Sequence, residues 1–266
     1  MMSEQSQYPI ERHPLQPFLP ENARVLFLGS FPPQKKRWCM EFYYPNFIND
    51  HWRIEGEVFF GDRNHFVIED EELDASKRQK ARRFDREAIV AFCREKGIAF
   101  YDTATAVRRL KDNASDEFLE VVEPTDIRAL LTQLPHCKAI VTTGQKATDT
   151  LCRYFGIENA PKAASEREKS QACLDSSEPM EQRELSSLLG WPSRDRGRRS
   201  QREQARSKIK LGESIAIPNV RNRDGNDILL YRLPSSSRAY PLAFDKKVAA
   251  YRTMFEAVGL TTPHED

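Results

Sequence analysis

Val25-Leu26-Phe27-Leu28 is an unbroken apolar run that stops at Gly29. Four apolar residues without alternation fit a strand buried on both faces, the habit of a parallel sheet. Ile98 to Tyr101 reads as another strand, and the β-branched run from Lys138 to Thr143, stopped by Gly144, as a further one. Elsewhere the period lengthens. From Ser76 to Lys96 apolar residues recur at Ala81, Phe84, Ala88, Ile89, Phe92 and Cys93 among charges and end at Gly97, which predicts a helix. Pro124-Thr125-Asp126 opens a second helix through Leu134, and a third runs from Gly144 to about Phe155. Ser214 to Val220 and Ile228 to Leu233 flank Asp224-Gly225 as two paired strands. Phe244, Val248, Tyr251, Met254 and Phe255 share a register from Phe244 to Val258 and predict a closing helix. Strands alternating with helices predict an α/β fold.

The pattern fails between Lys162 and Lys210, where Ser, Glu, Gln, Lys and Arg dominate around one apolar island from Leu185 to Trp191. With 266 residues and 39% hydrophobic content, the chain suits one globular domain with polar additions. That domain is expected over residues 13–260, with 163–210 a charged, mobile insertion and 1–12 a flexible tail. The tract from Arg194 to Lys210 is basic, and such stretches follow phosphate backbones in some proteins and are merely solvated in most. Lys plus Arg (41) balance Asp plus Glu (40), so a formal charge of +1 gives no global attraction to a polyanion. Nucleic-acid binding would need a local patch.

Five cysteines, far apart and without a C-x-x-C pair, argue against a disulfide framework and against a zinc or iron–sulfur site. Met1 to Pro9 is polar, and no run approaches a membrane span. A soluble, cytoplasmic protein in a reducing compartment is expected.

Candidate chemistry gathers at strand ends. Gly29-Ser30-Phe31-Pro32-Pro33 follows the first strand, at the edge where open α/β sheets bind ligands. Gly29 permits close backbone approach, and two prolines stiffen the loop so that N–H groups and the Phe31 ring can meet a flat ligand. An ordinary tight turn with Phe31 in the core fits the same residues. Tyr43, Tyr44, Phe47 and Trp52 then crowd round Asn46, Asn49, Asp50 and His51. Most of these aromatics should be wall or core, with one or two stacking on a ligand. Asn49 offers a donor and an acceptor without charge, which suits an amide-like base edge or a water, although lone asparagines more often cap turns. Asp50 and His51 read either as an acid–base pair or as surface residues.

Tyr231 to Pro241 follows a predicted strand and carries Ser235, Ser236, Ser237 and Arg238, three hydroxyls and a guanidinium suited to phosphates. Taken alone it is a Ser-rich loop. Thr143-Gly144-Gln145-Lys146 lacks P-loop spacing, and neither a G-x-S-x-G elbow nor a dinucleotide fingerprint is present.

Leu28-Gly-Ser-Phe-Pro-Pro33, Phe42-Tyr-Tyr44, Asn49-Asp-His-Trp52, Tyr101-Asp-Thr103 and Leu233-Pro-Ser-Ser-Ser-Arg-Ala239 together resemble the uracil-DNA glycosylase superfamily, closest to its hypoxanthine-DNA glycosylase branch. The likeness runs from about His13 to Leu260, without the insertion. It implies a three-layer α/β/α sandwich around a short, mostly parallel sheet. It further implies a base pocket from Gly29, Ser30, Phe31, Pro32 and Tyr44, catalysis through Asn49, and DNA contact through Ser235, Ser236, Ser237 and Arg238. The implied activity is that of a monofunctional DNA N-glycosylase that flips a deaminated base from DNA and leaves an abasic site, acting as a monomer without metal or organic cofactor. The chain departs from the pattern in four places. Its first loop has no acidic or amide residue, Leu233 replaces a histidine, Arg238 replaces a proline and His51 a phenylalanine. The preferred base therefore stays open among hypoxanthine, xanthine and uracil. Two other functions remain open: a lesion-binding protein without turnover, and a hydrolase of free nucleosides or nucleotides.

Overall fold

The computed structural model describes residues 8–69, 82–111, 118–157 and 209–261. Along them the chain forms β1 (Ile10–Arg12), β2 (Val25–Gly29), α1 (His51–Phe60), β3 (Val67–Ile68), β4 (Arg83–Phe84), α2 (Arg86–Lys96), β5 (Ile98–Asp102), β6 (Ala104–Arg109) and β7 (Leu119–Pro124). It continues with α3 (Ile127–Thr132), β8 (Ala139–Thr143), α4 (Gln145–Phe155), β9 (Ser214–Arg221), β10 (Asp227–Leu233) and α5 (Phe244–Ala257).

The apolar runs become the centre of a five-stranded sheet in the order β5-β2-β8-β10-β9. The first four strands are mutually parallel and β9 is antiparallel to β10. Val25, Leu26, Phe27, Leu28, Ile98, Ala99, Phe100, Ala139, Ile140 and Val141 are all fully buried, so these strands carry no polar alternation. From β5, on one side of β2, the chain passes to β8 on the other side. Crossing over in this way makes the β2/β8 boundary the topological switch point, where a crevice opens at the carboxyl ends of the strands. Helix α2 packs against β5, α4 against β8, and α1 along α5.

Local chemistry moves some element boundaries away from the periodicity. Asp85 accepts from Ala88 N, so α2 starts at Arg86. The expected helical start at residues 76–81 lies outside the described residues, and Arg83–Phe84 is a short strand paired with Val67–Ile68. Phe84 fits the helical period but is buried against Phe47, with the Arg53 guanidinium 5.0 Å from its ring. Gly97 ends α2 at φ 70°, where a Cβ would meet the Asn22 carbonyl at 2.5 Å. Likewise Asp126 caps α3 at Ile127, leaving Pro124 at the end of edge strand β7.

A second sheet, β1-β6-β7, is antiparallel throughout and has no counterpart in the sequence reading. Residues 10–12, expected to end a flexible tail, instead pair with Arg108 to Ala106. Their anchor is an ion pair from Glu11 to Arg109, 98 residues away, which no local pattern reveals. The far boundary of the insertion also shifts. Ile209 is buried, and its carbonyl accepts from Arg232 Nη1 at 2.6 Å. Residues 163–208 of the expected insertion lie outside the described ones.

Helix α1 replaces part of the expected aromatic loop. It buries Trp52, Ile54 and Val58, and Trp52 Nε1 donates to the Tyr43 carbonyl at 3.0 Å. It also buries His51 and Glu55 side by side. His51 Nε2 lies 3.0 Å from Glu55 Oε1, with both side chains sealed from solvent and neither aligned for a hydrogen bond. Desolvation of such a pair offsets much of its attraction. Glu55→Ala should cost about 3–5 kcal/mol, while the double variant His51→Phe/Glu55→Leu should be neutral or more stable, as read by urea denaturation.

Candidate active site

At the carboxyl ends of β2, β8 and β10 lies a cavity of about 600 Å³. That volume suits a small molecule or one nucleotide's base. Gly29 and Thr143 form its floor at the switch point. Residues 30–33 make one wall, residues 235–241 another, and Tyr43, Tyr44, Pro45, Asn46, Ile48 and Asn49 the lip between them.

The loops after β2 and β10 are knitted together. Asn49 and Ser237 form an isolated antiparallel bridge, Asp50 N donates to the Ser236 carbonyl at 3.0 Å, and Arg238 Nε donates to Asp50 Oδ1 at 2.8 Å. Beneath them the buried Lys247 donates from Nζ to the Ser237 carbonyl at 2.7 Å. Burial lowers the pKa of this ammonium, an effect that Asp50 offsets and Arg238 reinforces.

The first wall is held from behind. Arg109 grips Glu11 through two parallel bonds of 3.1 Å and donates from Nη2 to the Pro32 carbonyl, also at 3.1 Å. Trp38 Nε1 donates to the Pro33 carbonyl at 2.6 Å. Phe31 packs in a small cluster with Ala104, Val107 and Leu119, so the second sheet carries this wall. Its ring meets the His13 ring edge-on at 5.3 Å and still borders the cavity.

Tyr44 takes a left-handed backbone conformation at φ 49°. Its hydroxyl hydrogen-bonds Thr143 Oγ1 at 2.8 Å and its ring stacks 3.7 Å from His51. These contacts set the ring between the cavity and the buried His51–Glu55 pair. Half-buried Asn49 uses Oδ1 to accept from His51 N at 2.9 Å, an Asx turn that leads into α1. Its Nδ2 is the donor that this arrangement leaves for a ligand.

Gly29, Ser30, Phe31, Pro32, Tyr44, Asn49, Ser235, Ser236, Ser237 and Arg238 all border the one cavity. They do not all present themselves alike. Ser236 is 2% exposed and its hydroxyl bonds to Tyr251, which leaves it no outward face. Ser235 and Ser237 accept from Ser237 N and Ala239 N and so shape the turn. Arg238 is half-exposed but occupied by Asp50.

Asp102 and Thr143, present in the sequence analysis only inside motifs, and His13, Arg109 and Arg37 also line or support the cavity without having been assigned to it. Asp102 ends β5 directly opposite Gly29 and lines the cavity. A carboxylate closing the apolar run Ile98 to Tyr101 was the visible signal for it. His13 Nε2 lies 2.9 Å from Asp102 Oδ2 across 89 residues, a distance that leaves no signal in local sequence. Arg37 borders the cavity from an exposed single turn, Lys35–Arg37, and is the cationic side chain that this turn brings to the rim.

No protein-family model matches the chain, and no curated protein matches it. Among solved structures, it is similar to the solution structure of a "putative Uracil DNA glycosylase" from Methanosarcina acetivorans, at 24% identity and a TM-score of 0.37, over 56% of this chain and 80% of that one. A likeness of that size carries no inference about chemistry. No helix among the described residues is long and apolar enough to cross a membrane, and none of their His, Cys, Asp and Glu side chains cluster in threes that could hold a metal.

Arg109→Lys keeps the charge but loses the fork that serves Glu11 and Pro32 together. This variant should lose about 2 kcal/mol in denaturant titrations and raise the mobility of residues 30–33 in amide exchange.

Proposed function

We propose that this chain is a monofunctional DNA glycosylase that turns a deaminated base out of DNA and hydrolyses its N-glycosidic bond, leaving an abasic site for base excision repair. The carrying observation is the knitting of the Ser235-Ser236-Ser237-Arg238 loop to the lip of a base-sized cavity at the switch point. A pocket for free nucleosides has no need of an exposed arginine loop sewn to its rim. Arg37 and Arg238 both border the cavity, and guanidinium groups there suit phosphates flanking an extruded nucleotide. A single domain that includes β1, and the three-layer arrangement of helices about the sheet, belong to the same reading.

In this mechanism the extruded base enters between Phe31 and Tyr44, with Phe31 offering its ring face or edge to the heterocycle. Hypoxanthine, xanthine and uracil all present a lactam edge. An uncharged amide such as Asn49 can pair with that edge or hold a water against the sugar. Backbone N–H groups near Ser30 would receive the charge that builds on the departing base, each aimed donor contributing about 3–4 kcal/mol. The sugar passes through an oxocarbenium-like state, and water completes the substitution. No lysine stands among the described residues lining the cavity, which favours hydrolysis over a Schiff-base route to strand cleavage.

Duplexes containing hypoxanthine, xanthine or uracil should yield alkali-labile abasic sites with at least one of these bases. Asn49→Ala should slow release by about 100-fold with little change in duplex affinity. Binding without release on every duplex would support the lesion-binding alternative instead. Arg238→Ala should weaken duplex binding and reduce the slope of log affinity against log salt by about 1. Full activity of that variant on free nucleosides, with no preference for polymeric DNA, would overturn the DNA-directed reading.

A further inference from the structure

Gly29 and Asp102 are register partners on β2 and β5, and a Cβ placed on Gly29 would come within 2.4 Å of Asp102 Oδ1. The missing side chain is what makes room for this carboxylate beside the cavity floor. Its other oxygen is fixed by the 2.9 Å bond to His13 Nε2, within a pair whose side chains are 10% and 2% exposed. His13 in turn is bound on its far side by residue 15. Nδ1 lies 2.8 Å from the Leu15 carbonyl and 3.2 Å from the Leu15 N–H, so it can donate to the first or accept from the second. A neutral ring that accepts from the Leu15 N–H presents its Nε2 proton to Asp102, and a cationic ring does so while donating to the Leu15 carbonyl. The rings of Tyr101 and Tyr43 lie 4.7 and 6.3 Å from the His13 ring, and burial and the Asp102 charge raise the pKa values of both phenols. A carboxylate so placed, nearly dry yet bordering the cavity, is equipped for proton transfer.

We propose that Asp102 is the general base of the reaction and that His13 is its positioning residue. Asp102 thus supplies, from the neighbouring strand, the acidic group that residues 30–33 lack. The proposal rests on the glycosylase reading above. In the step, a water O–H bond breaks and its proton passes to Asp102 Oδ1. The water oxygen bonds to the anomeric carbon of the sugar, the C–N bond breaks, and its electron pair leaves with the base. The base anion then takes the proton from Asp102, restoring the carboxylate. Before the transfer, the negative charge of Asp102 also faces the cationic sugar.

The test is single-turnover base release from duplexes carrying hypoxanthine, xanthine or uracil, with melting curves and duplex affinity measured alongside. Asp102→Asn, which can still accept from His13, should slow release by about 100-fold or more while the dissociation constant changes by less than about threefold. Sodium formate should restore release by about tenfold or more in Asp102→Gly, a response that a purely structural carboxylate would not give. His13→Gln should lower the maximal rate by about tenfold, leaving the substrate concentration for half-maximal rate unchanged. Should the Asp102 variants fail to fold, Gly29→Ala displaces the carboxylate and should slow release by about tenfold. Wild-type rates in Asp102→Asn or Gly29→Ala would overturn the proposal and leave the glycosylase reading standing. No release by the wild-type protein from any of the three duplexes would overturn both.

Discussion

A hydrogen bond from Asp50 N to the Ser236 carbonyl, reinforced by the Arg238–Asp50 ion pair and the Asn49–Ser237 bridge, joins two loops 188 residues apart. Everything assigned to the site follows from that junction. The parallel order β2-β8-β10 already delivers both loops to the same end of the sheet. Delivery alone would leave them free to drift, and a cavity bounded by drifting loops cannot hold a flat ring at a fixed angle. Surface ion pairs contribute little by themselves. Here the backbone bridge sets the geometry, and the ion pair, with Asp50 itself buried, closes it.

The second sheet supplies the other rigid boundary. Through Arg109 it ties β1 to residues 30–33, and through Phe31, Ala104, Val107 and Leu119 it gives that loop an apolar backing. Strand β1 therefore serves the site as much as the fold. His13, immediately after it, brings an imidazole against Asp102. Two polar clusters thus flank the cavity, one bordering it through Asp102 and one sealed behind Tyr44 as His51 and Glu55. Their environments differ in the respect that matters for chemistry. The first pair is hydrogen-bonded and reaches the cavity, whereas the second has neither hydrogen-bond alignment nor exposure.

What could be read from the chain divides by range. The buried strands announced themselves because parallel strands need no polar face, and Val25 to Leu28 has none. The later helices announced themselves through capping residues such as Asp126 and through the sharp stop at Gly97. Helix α1 stayed hidden because its buried face includes His51, Arg53 and Glu55, which break the apolar stripe. The second sheet stayed hidden because its stabilising contacts, such as Glu11 with Arg109, join residues with no local relation. At the cavity, the Gly-Pro loop and Asn49 stood out by residue type, and both border it. Asp102 did not stand out, since its meaning depends on its place opposite Gly29, a fact of register. The Ser236 hydroxyl bonds to Tyr251, and a serine run gives no hint of which member turns inward.

The most direct measurement is a crystal structure of the protein with a duplex bearing 2′-fluoro-2′-deoxyinosine, whose fluorine slows cleavage by destabilising a cationic sugar. The account predicts the hypoxanthine ring inside the cavity between Phe31 and Tyr44, its lactam edge toward Asn49, and Arg238 turned from Asp50 to a backbone phosphate. A base still stacked in its duplex, or a duplex seated on a face away from Gly29 and Thr143, would contradict it.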